Sequence, residues 1–270
     1  MITLTLNEPD EIHLWLVRDH GIADPALLDQ YRRLLDPQEA ARLERFVFPK
    51  HRHQYLVARA LLRSVLSIYD NAISPADWRF EANPYGKPSI AVSHSCKLGF
   101  NLSHTEQLTV LAVSSGDDIG VDVEWMGRNT EVMELAEHCF SPAEVDQLLC
   151  LPQERQRARF FDVWTLKEAY IKARGLGISN ALHDLSFLFA DDDAKPLRIV
   201  PATESMVDPA QWTFWHVAQD TPHKIAVARQ SPSTAHASRL VIREGVPLHS
   251  WATVSPPVTR RWPGDGVAHQ

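Results

Sequence analysis

The six residues Ile119-Gly120-Val121-Asp122-Val123-Glu124 constrain this chain most, because they alternate strictly between apolar side chains and glycine or acid. As a strand the segment points Ile119, Val121 and Val123 to one face and Gly120, Asp122 and Glu124 to the other. Gly120 is expected to leave open space beside the two acids, so that they share a hard cation. Mg²⁺ is usually held this way, by one or two carboxylates, with phosphate and water completing the shell. The same pair also reads as a solvated strand face at a sheet edge, and a short motif does not decide between the two.

A second block, Trp164-Thr165-Leu166-Lys167-Glu168-Ala169-Tyr170-Ile171-Lys172, adds weight to the chemical reading. At helical spacing Phe160, Val163, Trp164, Tyr170 and Ile171 form one apolar arc, and Lys167 falls inside it. A lysine that enters an apolar face is costly unless an anion meets it. Glu168 and Lys172 lie on the margin of the arc, near Phe161 and one turn apart. An ordinary helical ion pair, worth roughly a few tenths of a kcal/mol, would account for those two but leaves Lys167 unexplained.

A chain of 270 residues fits one large or two small domains. A net charge of −7 argues against bulk nucleic-acid binding. No apolar run approaches a membrane span and residues 1–20 hold no basic leader, so the expectation is a cytoplasmic protein with no membrane partner. Cys96, Cys139 and Cys150 form no CxxC pair and read as reduced thiols, and His51 and His53 have no further ligand cluster nearby. Between Arg32 and Arg63 the chain is locally basic, with Arg32, Arg33, Arg42, Arg45, Lys50, Arg52, Arg59 and Arg63 against Asp36, Glu39 and Glu44. This is either a solvated pair of helix faces or a landing site for a multiply phosphorylated ligand.

Strands are expected at Ile2–Leu6 and His13–Val17, and Asp36-Pro37-Gln38-Glu39 is a helix start. An amphipathic helix follows over Leu56–Ile68, then extended segments at Trp78–Glu81 and around Phe100, with the turn Asn83-Pro84-Tyr85-Gly86 between them. Leu108–Val113 reads as a strand turned back by Ser115-Gly116-Asp117-Asp118 into the acid strand, a hairpin. Ser141-Pro142-Ala143-Glu144 is a capping signal, which favours a structural over a chemical reading of Glu144. The helix carrying Lys167 is expected from Gln156 to the glycines 175 and 177, and further strands at Ser186–Phe189, Leu197–Val200, Trp212–Val217 and Lys224–Ala228. The class is α+β, with strands and helices in each half. The expected division is 1–115, 116–230 and a loop-like tail 231–270 of unassigned function, in which Arg239–Arg243 could add a strand.

These blocks resemble the Sfp-type 4'-phosphopantetheinyl transferase family, whose signature is a G-[IV]-D strand followed some forty residues later by W-[ST]-x-K-E-[AS]-[FY]-x-K. Tyr85-Gly86-Lys87-Pro88, Phe100-Asn101-Leu102-Ser103-His104 and Phe140-Ser141-Pro142-Ala143-Glu144 match in the same order. The resemblance spans roughly residues 30 to 230. It implies two similar α+β halves related by a pseudo-twofold axis, with the active site in the cleft between them, and a monomer. It also implies transfer of the phosphopantetheine arm of coenzyme A to a serine of an apo acyl or peptidyl carrier protein, with release of adenosine 3',5'-bisphosphate.

On that resemblance Asp122, Glu124 and Glu168 would hold Mg²⁺. Glu168 would serve as general base, directly or through a water on the metal, and Lys172 and Lys167 would stabilise phosphoryl charge. Tyr85, Gly86, Lys87 and Pro88 would frame the adenine, with Ser103 and His104 near the nucleotide phosphates; the first four also make a good turn, and His104 also reads as a turn histidine. Arg42 and Arg52 would meet the 3'-phosphate with Arg59 as a further substitute, although Glu39 stands where the family often has lysine. Met126–Met133 and the helix after it are carrier-contact candidates, and the carrier type stays open. Two alternatives remain, a catalytically silent relative that binds coenzyme A or carriers, and a Mg²⁺-dependent phosphohydrolase. The first would be expected to lose an acid or Lys172, and none is missing here; the second would need a phosphate loop, and this chain has no P-loop motif.

Overall fold

The computed structural model describes residues 4, 6, 11–116, 118–175, 177, 182–190, 197–202, 207–217, 221–230, 239–254 and 258–262. The expected strand Ile2–Leu6 therefore lies outside the described residues except for Leu4 and Leu6, as does most of the loop-like part of the tail. The chain divides into two compact units. The first holds 1–83, 88–117 and 238–255, and the second 84–87, 118–237 and 256–270. Among the described residues no helix is long and apolar enough to cross a membrane.

In the first unit β1 (Glu11–Val17) is followed by α1 (Pro25–Leu34), α2 (Pro37–Glu44), α3 (Pro49–Tyr69), β2 (Phe80–Ala82), β3 (Pro88–Ile90), β4 (Leu98–Thr105) and β5 (Leu108–Ser115). Two later strands, β11 (Arg239–Val246) and β12 (Ser250–Val254), return to it and complete a sheet of order β12-β11-β1-β5-β4. Strand β11 runs parallel to β1, with Leu14 opposite Ile242, so the strand expected at Arg239–Arg243 forms and, with β12, makes one side of the sheet. Helix α3 lays Leu56, Leu61, Leu62 and Val65 against Trp15, Phe100, Leu111 and Val113 of the sheet. Each such buried side chain contributes about 1.5–3 kcal/mol.

The second unit runs β6 (Ile119–Trp125), α4 (Val132–Cys139), α5 (Pro142–Leu149), α6 (Gln153–Arg174), β7 (Leu185–Leu188), β8 (Arg198–Pro201), β9 (Trp212–Val217), β10 (His223–Gln230) and finally β13 (Val258–Trp262). Its sheet has the order β13-β9-β10-β6. The expected β5–β6 hairpin is not formed. Strand β5 has β1 on one edge and β4 on the other, so no edge is left for β6, which pairs with β10 instead. Helix α6 starts three residues before the expected point and ends on Gly175, whose φ of 63° allows its N–H to reach Ile171 O.

Both sequence-level capping signals form complete boxes, Asp36 with Glu39 on α2 and Ser141 with Glu144 on α5. In α2 the box does a second job. The Glu39 carboxylate accepts from Arg63 Nε at 2.8 Å and lies 3.5 Å from Arg59 Nη1. Arg63 is 0% exposed and also donates to Asp36 Oδ2 and to the carbonyls of Pro75, Ala76 and Trp78. It therefore cannot belong to a phosphate-binding surface, which removes one charge from the basic segment. Arg63→Met should lower unfolding free energy by about 3–5 kcal/mol, because two carboxylates lose their buried partner. Urea unfolding checks this, and a loss under 1 kcal/mol would refute the network.

His13 is another buried titratable group of this unit, hydrogen-bonded to the Tyr69 hydroxyl and 3.5 Å from Glu11 Oε2. Burial, with Arg243 next in size, lowers its pKa to about 4 from an ordinary 6.5. The unfolded chain then binds the proton first, so this contribution is complete above pH 6.5 and falls as the pH drops toward 4. His13 should by itself add a slope that lowers stability by about 2 kcal/mol between pH 7.5 and 5. His13→Gln should flatten that slope in paired urea titrations, and an unchanged slope would exclude His13 as its source.

Candidate active site

On β6 the second-unit sheet sets Gly120 opposite Ala228, Asp122 opposite Ala226 and Glu124 opposite Lys224. Small residues are needed there because α6 lies on that face. A Cβ on Gly120 would stand 2.0 Å from Ala169 O and 2.4 Å from Ala173 N. The open space expected beside the acids is thus filled by helix backbone. The glycine works by letting strand and helix approach, not by leaving room for a ligand.

That approach brings the two motifs together. Lys172 Nζ donates to Asp122 Oδ1 at 2.5 Å, and Trp164 Nε1 donates to Glu124 Oε1 at 3.2 Å. Arg128, in the loop after β6, donates through Nη1 to both Glu124 oxygens at 2.9 Å. Glu168, one turn before Lys172, is 7% exposed and its Oε1 has no hydrogen-bond partner. Burial raises Glu168 to about 7, with the Asp122 charge adding, Lys172 opposing and Glu124 adding less. Glu124 is raised by burial and Asp122 and held down by Arg128 and Trp164. Three carboxylates therefore share one electrostatic environment, in which Asp122 and Glu124 disfavour the charge on Glu168 and Asp122 disfavours that on Glu124.

Among the described residues no three such side chains are already arranged as a metal cage. The donor set still fits a hard divalent cation. It offers oxygen ligands, mutual repulsion that a cation would relieve, and one buried carboxylate oxygen with nothing to bond.

Lys167 does not join this group, which corrects the catalytic role expected for it. It is 1% exposed and donates to Leu182 O at 2.7 Å and Leu185 O at 2.9 Å, with Glu144 Oε2 at 3.0 Å. The anion needed for a lysine in an apolar arc is Glu144, the capping residue of α5, which also accepts from Phe187 N. Lys167 ties α6 to α5 and β7. The arc itself extends round the helix, since Phe161, Leu166, Ala169 and Ala173 are buried as well.

The remaining expected residues fall as follows. Lys87 Nζ donates to Ala173 O at 2.6 Å, at the carbonyl end of α6. Gly86 has φ +87°, which permits the turn, and the Tyr85 ring is exposed beside Gly177. Pro88 opens β3 of the first unit, where Ser103 is buried and His104 exposed on β4. In the same unit Arg42 and Arg59 flank the Tyr55 ring at 5.4 and 5.5 Å, and Arg52 donates to Phe46 O. Glu39, the departure from the family's lysine, is committed to Arg63 and its own helix.

Two clusters escaped the sequence reading. Asp162 on α6 meets His216 Nε2 at 3.1 Å and Lys224 Nζ at 2.7 Å, clamping the helix to β9 and β10. Its carboxyl lies far below the usual range because the His216 and Lys224 charges outweigh the opposing effect of burial. An acid between Phe161 and Val163 was the available signal, the same kind that marked Lys167. Arg157 donates to the carbonyls of Met126, Arg128 and Thr130, and nothing in its sequence spacing announces that.

A family model described as 4'-phosphopantetheinyl transferase superfamily matches residues 118–228, and one described as 4'-phosphopantetheinyl transferase, N-terminal, matches 24–116. The 4'-phosphopantetheinyl transferase HetI of Nostoc sp. is 34% identical over 195 residues, covering 72% of this chain and 80% of that protein. The 4'-phosphopantetheinyl transferase psf-1 of Bacillus pumilus is 30% identical over 220 residues, 81% of this chain and 89% of its own. The L-aminoadipate-semialdehyde dehydrogenase-phosphopantetheinyl transferase of Xenopus laevis is 27% identical over 208 residues, 73% and 68% respectively.

Gly120→Ala should destabilise the protein by about 1–3 kcal/mol through overpacking against α6. Thermal unfolding reads this directly, and an unchanged midpoint would mean that helix and strand are not in contact there.

Proposed function

The chain belongs to the 4'-phosphopantetheinyl transferase superfamily, and from that premise we propose that it moves the phosphopantetheine arm of coenzyme A onto a serine of an apo carrier protein. The observation that carries this reading is the meeting of Asp122, Glu124, Glu168 and Lys172 where β6 and α6 touch. The serine oxygen forms a bond to the β-phosphorus as the bond to the bridging oxygen breaks, and adenosine 3',5'-bisphosphate leaves. Little covalent chemistry is asked of the protein beyond alignment and charge.

Glu168 accepts the serine proton. A carboxylate raised to about 7 is matched to that task near neutral pH, and its buried oxygen has no competing donor. Lys172 supplies positive charge to the phosphoryl oxygens. Mg²⁺ held by Asp122, Glu124 and Glu168 would, when bound, neutralise the diphosphate as a Lewis acid. Tyr85, Gly86, Lys87 and Pro88 frame the adenine, and Ser103 and His104 approach the nucleotide phosphates. Arg42 and Arg52 take the 3'-phosphate; both are exposed, whereas Arg59 is held by Glu39. Carrier contact falls to residues 126–133 and α4.

The test is to incubate the protein with Mg²⁺, coenzyme A and several apo carriers and weigh the carriers by mass spectrometry. Wild type should add the arm to a carrier serine, and Glu168→Gln should fold normally yet lose about 10²–10⁴-fold in rate. Coenzyme A left intact with every carrier unmodified would reject the transferase reading, and near-normal turnover of Glu168→Gln would reject the base.

A further inference from the structure

We propose that Arg128 is a resident counter-ion of Glu124, occupying the carboxylate that a divalent cation would use and thereby setting the cation affinity of the site. The inference rests on the metal reading above and adds a competitor to it.

The geometry is specific. One Arg128 nitrogen lies 2.9 Å from each Glu124 oxygen, and the side chain is steadied by Nε donating to Thr130 Oγ1 at 3.1 Å. The loop that carries Arg128 is fixed from behind. Arg157 on α6 donates to the carbonyls of Met126, Arg128 and Thr130, so the Arg128 backbone is held while its side chain returns over β6. The two partners differ in exposure, 46% for Arg128 and 14% for Glu124. The guanidinium can therefore swing into solvent, and the carboxylate stays where it is.

Glu124 needs such a partner because it is partly buried beside Asp122, and Lys172 serves Asp122 in the same way. Both acids thus keep a positive charge near them before any cation arrives. The acid group is not merely a surface cluster, since Glu168, more than nine-tenths buried, has one oxygen with no hydrogen bond. A cation recruiting Glu124 must displace Arg128 or share its oxygens, and either weakens the affinity that the three carboxylates would otherwise give.

The probe is Mn²⁺, with free ion followed by electron paramagnetic resonance at low ionic strength and no coenzyme A. Four proteins are compared: wild type, Arg128→Gln, Arg128→Lys and the charge control Arg155→Gln on the exposed first turn of α6. Arg128→Gln should bind Mn²⁺ roughly three- to fivefold more tightly than wild type, with Arg128→Lys between them and Arg155→Gln within about twofold of wild type. Equal affinity in wild type and Arg128→Gln, or an equal gain in Arg155→Gln, would overturn the counter-ion role and leave the metal site standing. Failure of every protein to bind Mn²⁺ at millimolar concentration would overturn the metal site, and the counter-ion role with it.

Discussion

Helix α6 rests on strand β6 at a glycine, and the chemistry of the second unit depends on that backbone contact. With Gly120 against Ala169 and Ala173, Lys172 and Glu168 on one turn of the helix come within reach of Asp122 on the strand. Ala226 and Ala228 on the neighbouring strand keep the same face low. Two further ties hold the helix on either side of this contact. Asp162 fastens it to β9 and β10, and Lys167 fastens it to α5 and β7. A helix buried nearly all round and pinned at charged points has little freedom to rotate, so its acid and base groups stay aimed.

Buried ions recur as the joining device in both units. Arg63 gathers α2 and the segment after α3, while Lys167 gathers α5 and the approach to β7. Each cation meets a glutamate that also caps a helix, Glu39 in one case and Glu144 in the other. Removing either partner would leave a charge stranded in a low-dielectric interior, so these pairs favour one arrangement over near alternatives more than they add net stability.

What could be read without coordinates divides along physical lines. Local signals were legible: the alternation of β6, the two proline-led caps, the glycine stop of α6, and the acid and lysine pattern that converges at the site. Choices of partner were not. The turn at residues 115–118 looks like a hairpin, yet whether two strands pair depends on which edges other strands have already taken, and β1 and β4 had taken both edges of β5. Lys167 was flagged correctly as needing an anion, but the anion sits on another helix, so its role was misassigned. Gly120 was marked as special, though the sequence cannot distinguish room for a ligand from room for a backbone. Arg128 and Arg157 act through loop carbonyls and a carboxylate four residues back, a geometry with no periodic signature.

The parallel strand β11 carries a consequence for how the chain is made. Strand β1 is made well before its partner on one side, which follows it by more than two hundred residues of chain. Until then the nascent first unit presents an open row of amides and carbonyls along β1, a surface on which other chains can pair. The second sheet likewise waits for β13 to cover β9. The final pairing of both sheets therefore waits for strands that lie beyond residue 238 in the chain.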